Sequence, residues 1–252
     1  ALADPSAGRV ELDTTRLGNG RHELRLLAKT GDVLALSHPV PVRVRNPYRL
    51  LTRVNVPEAQ KGGLGGQVRP PADPSYRGQL SMDRVDALTS GRDLKLRFLM
   101  TDVTDEWNPP HGFDHVYFSV FFDFPGVPGK RFFPKLGYAL GDFEFNAGFL
   151  LYGWDMRSFG AEDSTPDALG RPLVGDVAAE ADKDRNLIEF TFSSSFFPVE
   201  DLAGTRVFIS TWDGYLGEPR AVARKKEDWS FYTLEDAGEK VPKVYDYVLL
   251  EL

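Results

Sequence analysis

Short apolar runs of strand length, cut every few residues by glycine, proline, asparagine or aspartate, constrain this chain more than any other feature. From residue 79 onward such runs fall at 79–87, 94–101, 115–124, 143–152, 187–192, 206–211 and 244–250. No long stretch places apolar residues at i, i+3, i+4 and i+7, so helix is expected to be a minor component. Many short strands with regular turn punctuation predict an all-β chain, folded as an antiparallel sandwich or barrel.

The chain can fill such a fold. Hydrophobic residues make up 42% of it and aromatic residues 12%, with 18 Phe, 9 Tyr and 4 Trp, which excludes global disorder. Its 252 residues suit two modules. A formal net charge of −7 argues against nucleic acid, whose affinity rests on clustered Lys and Arg neutralising phosphates. The one tight basic run, Arg224-Lys225-Lys226, is followed at once by Glu227 and Asp228. No stretch approaches 18 uninterrupted apolar residues, so no transmembrane segment is expected, and the opening residues lack a basic region followed by an apolar run. The absence of cysteine excludes disulfides, thiolate metal sites and cysteine nucleophiles.

Residues 1–57 read as a few strands: a hairpin around Asn19-Gly20, then Val40-Pro-Val-Arg-Val-Arg45 with Val40, Val42 and Val44 alternating. Residues 58–76 are rich in Gly and Pro with little periodicity, the composition of a linker. The expected main module is therefore 77–252, with a small β segment in front that docks on it.

Two resemblances sharpen this. The run from Asp13 to Leu24, of the form D-T-T-x-L-x-N-G-x-H-x-L, is similar to the closing strands of a bacterial immunoglobulin-like domain. From about Arg77 onward the chain resembles the C-terminal domain family of glucodextranase and amylopullulanases, akin to DOMON-like and family 9 carbohydrate-binding-module sandwiches. The features that carry this second match occur in order: Gln79-Leu-Ser-Met-Asp-Arg-Val85, Asp93-Leu-Lys-Leu-Arg-Phe98, Trp107-Asn-Pro-Pro-His-Gly-Phe113, Tyr117-Phe-Ser-Val-Phe-Phe-Asp123, Thr211-Trp-Asp-Gly214, Arg220, Asp228-Trp-Ser-Phe231 and Val244-Tyr-Asp246. The resemblance implies an antiparallel β-sandwich, DOMON-like, with a partial immunoglobulin-like segment before it. It also implies a secreted or cell-surface accessory module of an α-glucan-active glycoside hydrolase, not catalytic alone, with a polysaccharide or cell-surface glycan and the parent catalytic domain as partners.

Sugars stack their apolar faces on aromatic rings and hydrogen-bond to carboxylates, amides and arginine. The candidate platforms are Trp107, Trp154, Trp212 and Tyr215, with Asn108, Asp155, Asp213 and Arg220 as polar partners. Each has a plainer alternative: Trp107 can plug the end of the sandwich, and Trp154 can bury itself against its strand. Glycine in Asp213-Gly214 suggests a turn that would thrust Trp212 and Tyr215 outward. Trp229, alternating with Phe231, reads as core. Asp102, Asp105 and Asp114, with Glu106 on the same loop, are the candidate ligands for a structural calcium ion. Asp182-Lys-Asp-Arg-Asn186 lacks the glycine and terminal glutamate of an EF-hand loop and reads as a hairpin turn.

No nucleophile elbow, zinc helix or phosphate loop is present. Accidental Asp/Glu pairs cannot support a glycosidase claim. His111 and His115 could share a helix face as a zinc pair, but the Pro-Pro-His-Gly setting forbids a helix there. A structural spacer, whose aromatic residues are core and interdomain contacts, is the second reading. A third, haem bound between Met100 and His115 as in some DOMON relatives, is the least favoured.

Overall fold

The computed structural model describes residues 2–4, 9–63, 68–71, 74–223, 226, 230–233 and 241–252. Two antiparallel sheets pack face to face, and both borrow from the apolar runs seen in the sequence. The first contains β1 (Arg49–Asn55), β2 (Met82–Ser90), β3 (Asp93–Met100), β7 (Val177–Asp182) and β8 (Leu187–Phe192), in the order β7-β8-β3-β2-β1. The second contains β4 (Val116–Asp123), β5 (Ala147–Tyr152), β6 (Asp155–Gly160), β9 (Arg206–Tyr215), β10 (Glu218–Pro219) and β11 (Tyr247–Glu251). Its order is β6-β5-β4-β9, with β10 and β11 sharing the far side of β9.

Alternation decides which face each residue takes. On the first sheet, Leu94, Leu96 and Phe98 of β3 and Ile188, Phe190 and Phe192 of β8 point inward and are buried. Their outward neighbours are charged and form a row across the sheet. Arg53, Asp86, Arg97 and Glu189 lie in successive register, with ion pairs from Arg53 to Asp86 and from Arg97 and Lys95 to Glu189. Burial alone would raise the Glu189 carboxyl, but hydrogen bonds from Lys95 and Arg97 outweigh it and hold it below its ordinary pKa.

The second sheet does not alternate between apolar and polar, because both its faces are covered. Phe118, Val120 and Phe122 of β4 and Phe149 and Leu151 of β5 meet the first sheet, with Phe98–Phe118 and Phe149–Phe192 ring centroids 4.8 Å apart. On the opposite face Tyr117, Phe121, Leu150, Phe159 and Phe208 are buried under Phe133, Leu136, Phe143 and Phe145, which lie in the long connection between β4 and β5. Phe133 stacks flat on Phe208, 4.4 Å between centroids and 9° between planes. Gly148 of β5 is bare because a Cβ there would strike the Phe159 ring.

The Gly/Pro-rich segment is not the linker expected from composition. The strand before it, β1, pairs with β2, so the sandwich starts before residue 58 and the segment falls inside the module. Gly62 and Gly63 adopt left-handed backbone, φ 78° and 98°, which delivers the Gly62 amide to the Asp246 carboxylate at 2.9 Å. Asp246 is fully buried and also accepts from the Met82 amide at 2.9 Å and the Ser81 hydroxyl at 3.0 Å. Thr211 closes the knot by donating to the Leu80 carbonyl at 2.6 Å. One carboxylate thus ties the loop, the start of β2 and the approach to β11 together. The one α-helix among the described residues, Pro74–Leu80, occupies the start of the run read as strand at 79–87. The strand begins at Met82 instead.

Before the sandwich the described residues form three two-stranded pairs: Leu2–Asp4 with Arg9–Glu11, Gly20–Leu24 with Val40–Val44, and Leu27–Thr30 with Val33–Leu36. A seven-strand immunoglobulin sandwich is not formed by these residues. Docking on the main module runs through Asn19, whose amide donates to Asp93 at 2.7 Å and whose side chain donates to Ser90 at 2.9 Å. Asn19 is therefore an anchor rather than the tip of a hairpin.

Two outcomes follow from the packing. Phe133→Ala removes a ring stacked between Phe208 and Phe121, and is expected to cost about 3–5 kcal/mol in urea unfolding; a loss below about 1 kcal/mol would mean that the long connection is only a cover. Burial raises the Asp246 carboxyl above its ordinary pKa, so its contribution to stability is fully present below the unfolded carboxylate pKa and is lost as pH rises through the folded one. Asp246→Asn should cost about 1–3 kcal/mol at neutral pH, because an amide cannot accept at both oxygen positions. The gap to the native chain should widen on acidification, and a gap that narrows would contradict the assignment.

Candidate functional site

Three adjacent strands end or begin at the same rim of the second sheet. Val116 opens β4 opposite Asp213 of β9, and Tyr117 lies opposite Tyr152, the last residue of β5. Antiparallel register therefore brings the loop before β4, the β5–β6 turn and the β9–β10 hairpin side by side. Those three connections and the strand ends beside them carry all eight candidate sugar contacts.

In the first loop, buried Asp114 is the organiser: the Thr104 hydroxyl donates to one oxygen and the Trp107 amide to the other, at 3.1 Å for the latter. The Trp107 ring is 61% exposed and meets the His115 ring edge-on at 5.2 Å. Asn108 and His115 both sit in left-handed backbone, φ 53° and 62°, a strained conformation for residues with a Cβ that concentrates at sites where geometry is imposed. Burial lowers the His115 pKa against the opposing pull of Asp114, which favours the neutral imidazole.

The second loop is clamped to the first. His111 donates its amide to the Gly153 carbonyl at 3.1 Å, and Gly153 passes so close to the Phe113 carbonyl that any Cβ would collide. Next to it Trp154 is 37% exposed and packs on Tyr152 with centroids 4.9 Å apart. Burial, then the charge of Asp213, pushes the Tyr152 phenol up to about 12. It therefore stays a neutral donor to the Gly214 carbonyl at 3.3 Å. Asp155 is half exposed and reaches Arg157 at 3.4 Å.

The third connection differs from expectation. The strand runs on through Asp213-Gly214 to Tyr215, and the turn is made by Leu216 and Gly217, φ 52° and 77°. Trp212 consequently stays inside: it is 1% exposed, stacks on Phe231 at 4.3 Å, and donates its indole N–H to the Arg220 carbonyl at 2.9 Å. It offers no ring face to solvent, which corrects its reading as a platform. Asp213 is completely buried and ion-paired with Arg220. The Arg220 guanidinium in turn lies 4.6 Å over the Tyr215 ring, which remains 47% exposed. Asp213 and Arg220 lie symmetrically about Leu216-Gly217, so they face one another across the hairpin.

The proposed calcium ligands are not gathered. Asp105 pairs with Lys183, Asp114 holds its own loop, and Asp102 packs near Gly78. Among the described residues no group of three or more His, Asp or Glu side chains could hold a metal ion. Met100 lies in the apolar core, whereas His115 belongs to the rim. Asp182 caps the turn Lys183–Arg185, and Asn186 in left-handed backbone leads into β8, as a hairpin turn requires. Trp229 lies outside the described residues. Sequence reasoning gave no role to Tyr152, Arg157, Lys135, Lys243 or Glu218, which converge on the rim only through the fold.

An antiparallel sandwich whose exposed aromatic rings gather on loops at one end has the form of a binding module. The chain belongs to the family of SLH-like C-terminal binding modules of glucodextranase, whose family model matches residues 51–251. The match opens within β1, in agreement with a sandwich that starts ahead of the Gly/Pro-rich loop. No curated protein matches the chain. No helix among the described residues is long and apolar enough to cross a membrane.

The buried ion pair frames the third connection. Arg220→Ala takes the Arg220 guanidinium from the buried Asp213 carboxylate, and is expected to cost about 3–5 kcal/mol in denaturant unfolding. A cost under about 1 kcal/mol would show that the pair does not hold the hairpin.

Proposed function

We propose that the rim carrying Trp107, Trp154 and Tyr215 binds carbohydrate, and that the chain is a non-catalytic accessory module of a secreted or cell-surface glycoside hydrolase acting on α-glucan. The observation that carries this reading is the set of three part-exposed aromatic rings on the connections at one end of adjacent strands. Such rings lose little entropy on binding and can accept the apolar faces of pyranose units. Asn108, Asp155 and Arg220 stand beside them as hydrogen-bonding partners. Membership of a binding-module family supports the reading, and a module of this kind serves its enzyme by raising the local concentration of polymer.

A second reading, packing on a parent catalytic domain, is favoured by the ribbon between residues 26 and 40. Leu26, Leu27, Val33, Leu34, Leu36 and Val40 are all exposed there, and a lone two-stranded ribbon is marginal in water. The two readings use different surfaces and are compatible.

Isothermal titration against dextran, pullulan, starch oligomers and cell-wall polysaccharide tests the carbohydrate reading. Trp107→Ala, Trp154→Ala and Tyr215→Ala are each expected to weaken binding about 3- to 10-fold, the worth of one aromatic contact. If no glycan binds, or if all three variants bind as the native chain does, the carbohydrate reading fails.

A further inference from the structure

Beside Tyr215, on the edge of the rim, cations outnumber carboxylates. Glu218 lies directly across the hairpin from Tyr215, and its two oxygens meet Arg157 at 2.9 Å and Lys135 at 3.7 Å. Arg157 is already committed: it also bonds the Tyr117 hydroxyl and the Gly217 carbonyl and lies 3.4 Å from Asp155. A third cation, Lys243, is brought alongside because its backbone N–H donates to the Leu136 carbonyl at 2.8 Å, next to Lys135. Among the described residues its ammonium meets only the Pro219 carbonyl, at 3.4 Å.

This arrangement is costly. An ammonium has three donors, and a half-buried one facing another lysine without its own carboxylate is destabilised. Burial, and then Lys135, lower the Lys243 pKa accordingly. Lys135 is itself held in left-handed backbone, φ 68°, a strained conformation that must be imposed by its surroundings. Among the described residues, three cations and two carboxylates leave an excess positive charge here, on a chain whose net charge is −7.

We propose that Lys135 and Lys243 form an oxyanion subsite that receives a carboxylate or phosphate carried by a sugar stacked on Tyr215. The inference rests on the carbohydrate reading of the rim and narrows it: the preferred ligand is an acidic glycan rather than a neutral one. Glu218 orients Lys135 and Arg157, and the incoming anion supplies the carboxylate or phosphate that Lys243 does not meet among the described residues.

The probes are an oligogalacturonate, an isomalto-oligosaccharide of the same length, and inorganic phosphate, each titrated into the full chain at low salt. The acidic oligomer is expected to bind about tenfold more tightly than the neutral one, and phosphate to compete with it. Lys135→Gln/Lys243→Gln, with folding checked by thermal melting, should erase that preference and leave neutral binding unchanged, while Lys243→Arg should keep it. Equal affinity for the two oligomers, or a preference that survives the double variant, overturns the subsite and leaves the rim reading standing. If neither oligomer binds but phosphate binds the native chain and not the double variant, as read by phosphorus line broadening, the rim reading falls and the oxyanion site stands. Binding of none of the three overturns both.

Discussion

Burial of the second sheet on both faces is the constraint from which the rest of the structure follows. A half-solvated antiparallel sheet shows its inner face to a core and its outer face to water, yet β4 reads Val-Tyr-Phe-Ser-Val-Phe-Phe and is buried along nearly its whole length. Such a strand needs a second apolar layer, and the connection between β4 and β5 supplies it in Phe133, Leu136, Phe143 and Phe145. Offset and edge-to-face rings interlock in both layers. Sliding β4 by one residue would exchange the two aromatic sets and disrupt both.

A sheet locked in register fixes where its strands end. The start of β4, the end of β5 and the end of β9 fall together, and the loops beyond them form the rim. Buried polar groups then specify each loop individually: Asp114 for the first, the approach of Gly153 to Phe113 for the second, and the Asp213–Arg220 pair for the third. These groups stabilise little on balance, since desolvation offsets much of what a buried pair returns. What they supply is position, so that Trp107, Trp154 and Tyr215 meet a ligand as prearranged surfaces.

Much of this was legible in the chain, and the exceptions have physical causes. The strand at 187–192 was read with its observed bounds because Ile188, Phe190 and Phe192 alternate cleanly, and the all-β class followed from turn punctuation. Three of the longer strands in the two sheets were missed. Asp155–Gly160 and Val177–Asp182 lie at sheet edges and are short on apolar residues, the second being rich in alanine, while Arg49–Asn55 is half exposed and sits just ahead of a segment that looks like a linker. The candidate residues were read as neighbours in sequence, but their exposure was not legible. Asp213-Gly214 looks like a turn, and only the fold carries the strand past it and keeps Trp212 inside. The lysines beside Glu218 could not be found from spacing, because residues 135, 157, 218 and 243 meet only once the sheet closes.

Native-state hydrogen exchange tests the double burial most directly. If the connection over the outer face is part of the core, amides of Val116–Asp123, Ala147–Tyr152 and Arg206–Ser210 exchange last, and the hydrogen-bonded amides of Lys130, Phe133 and Phe145 open in the same cooperative unit. Fast, independent exchange of those three amides while the strands stay protected would contradict the account. The second sheet would then stand without its outer aromatic layer.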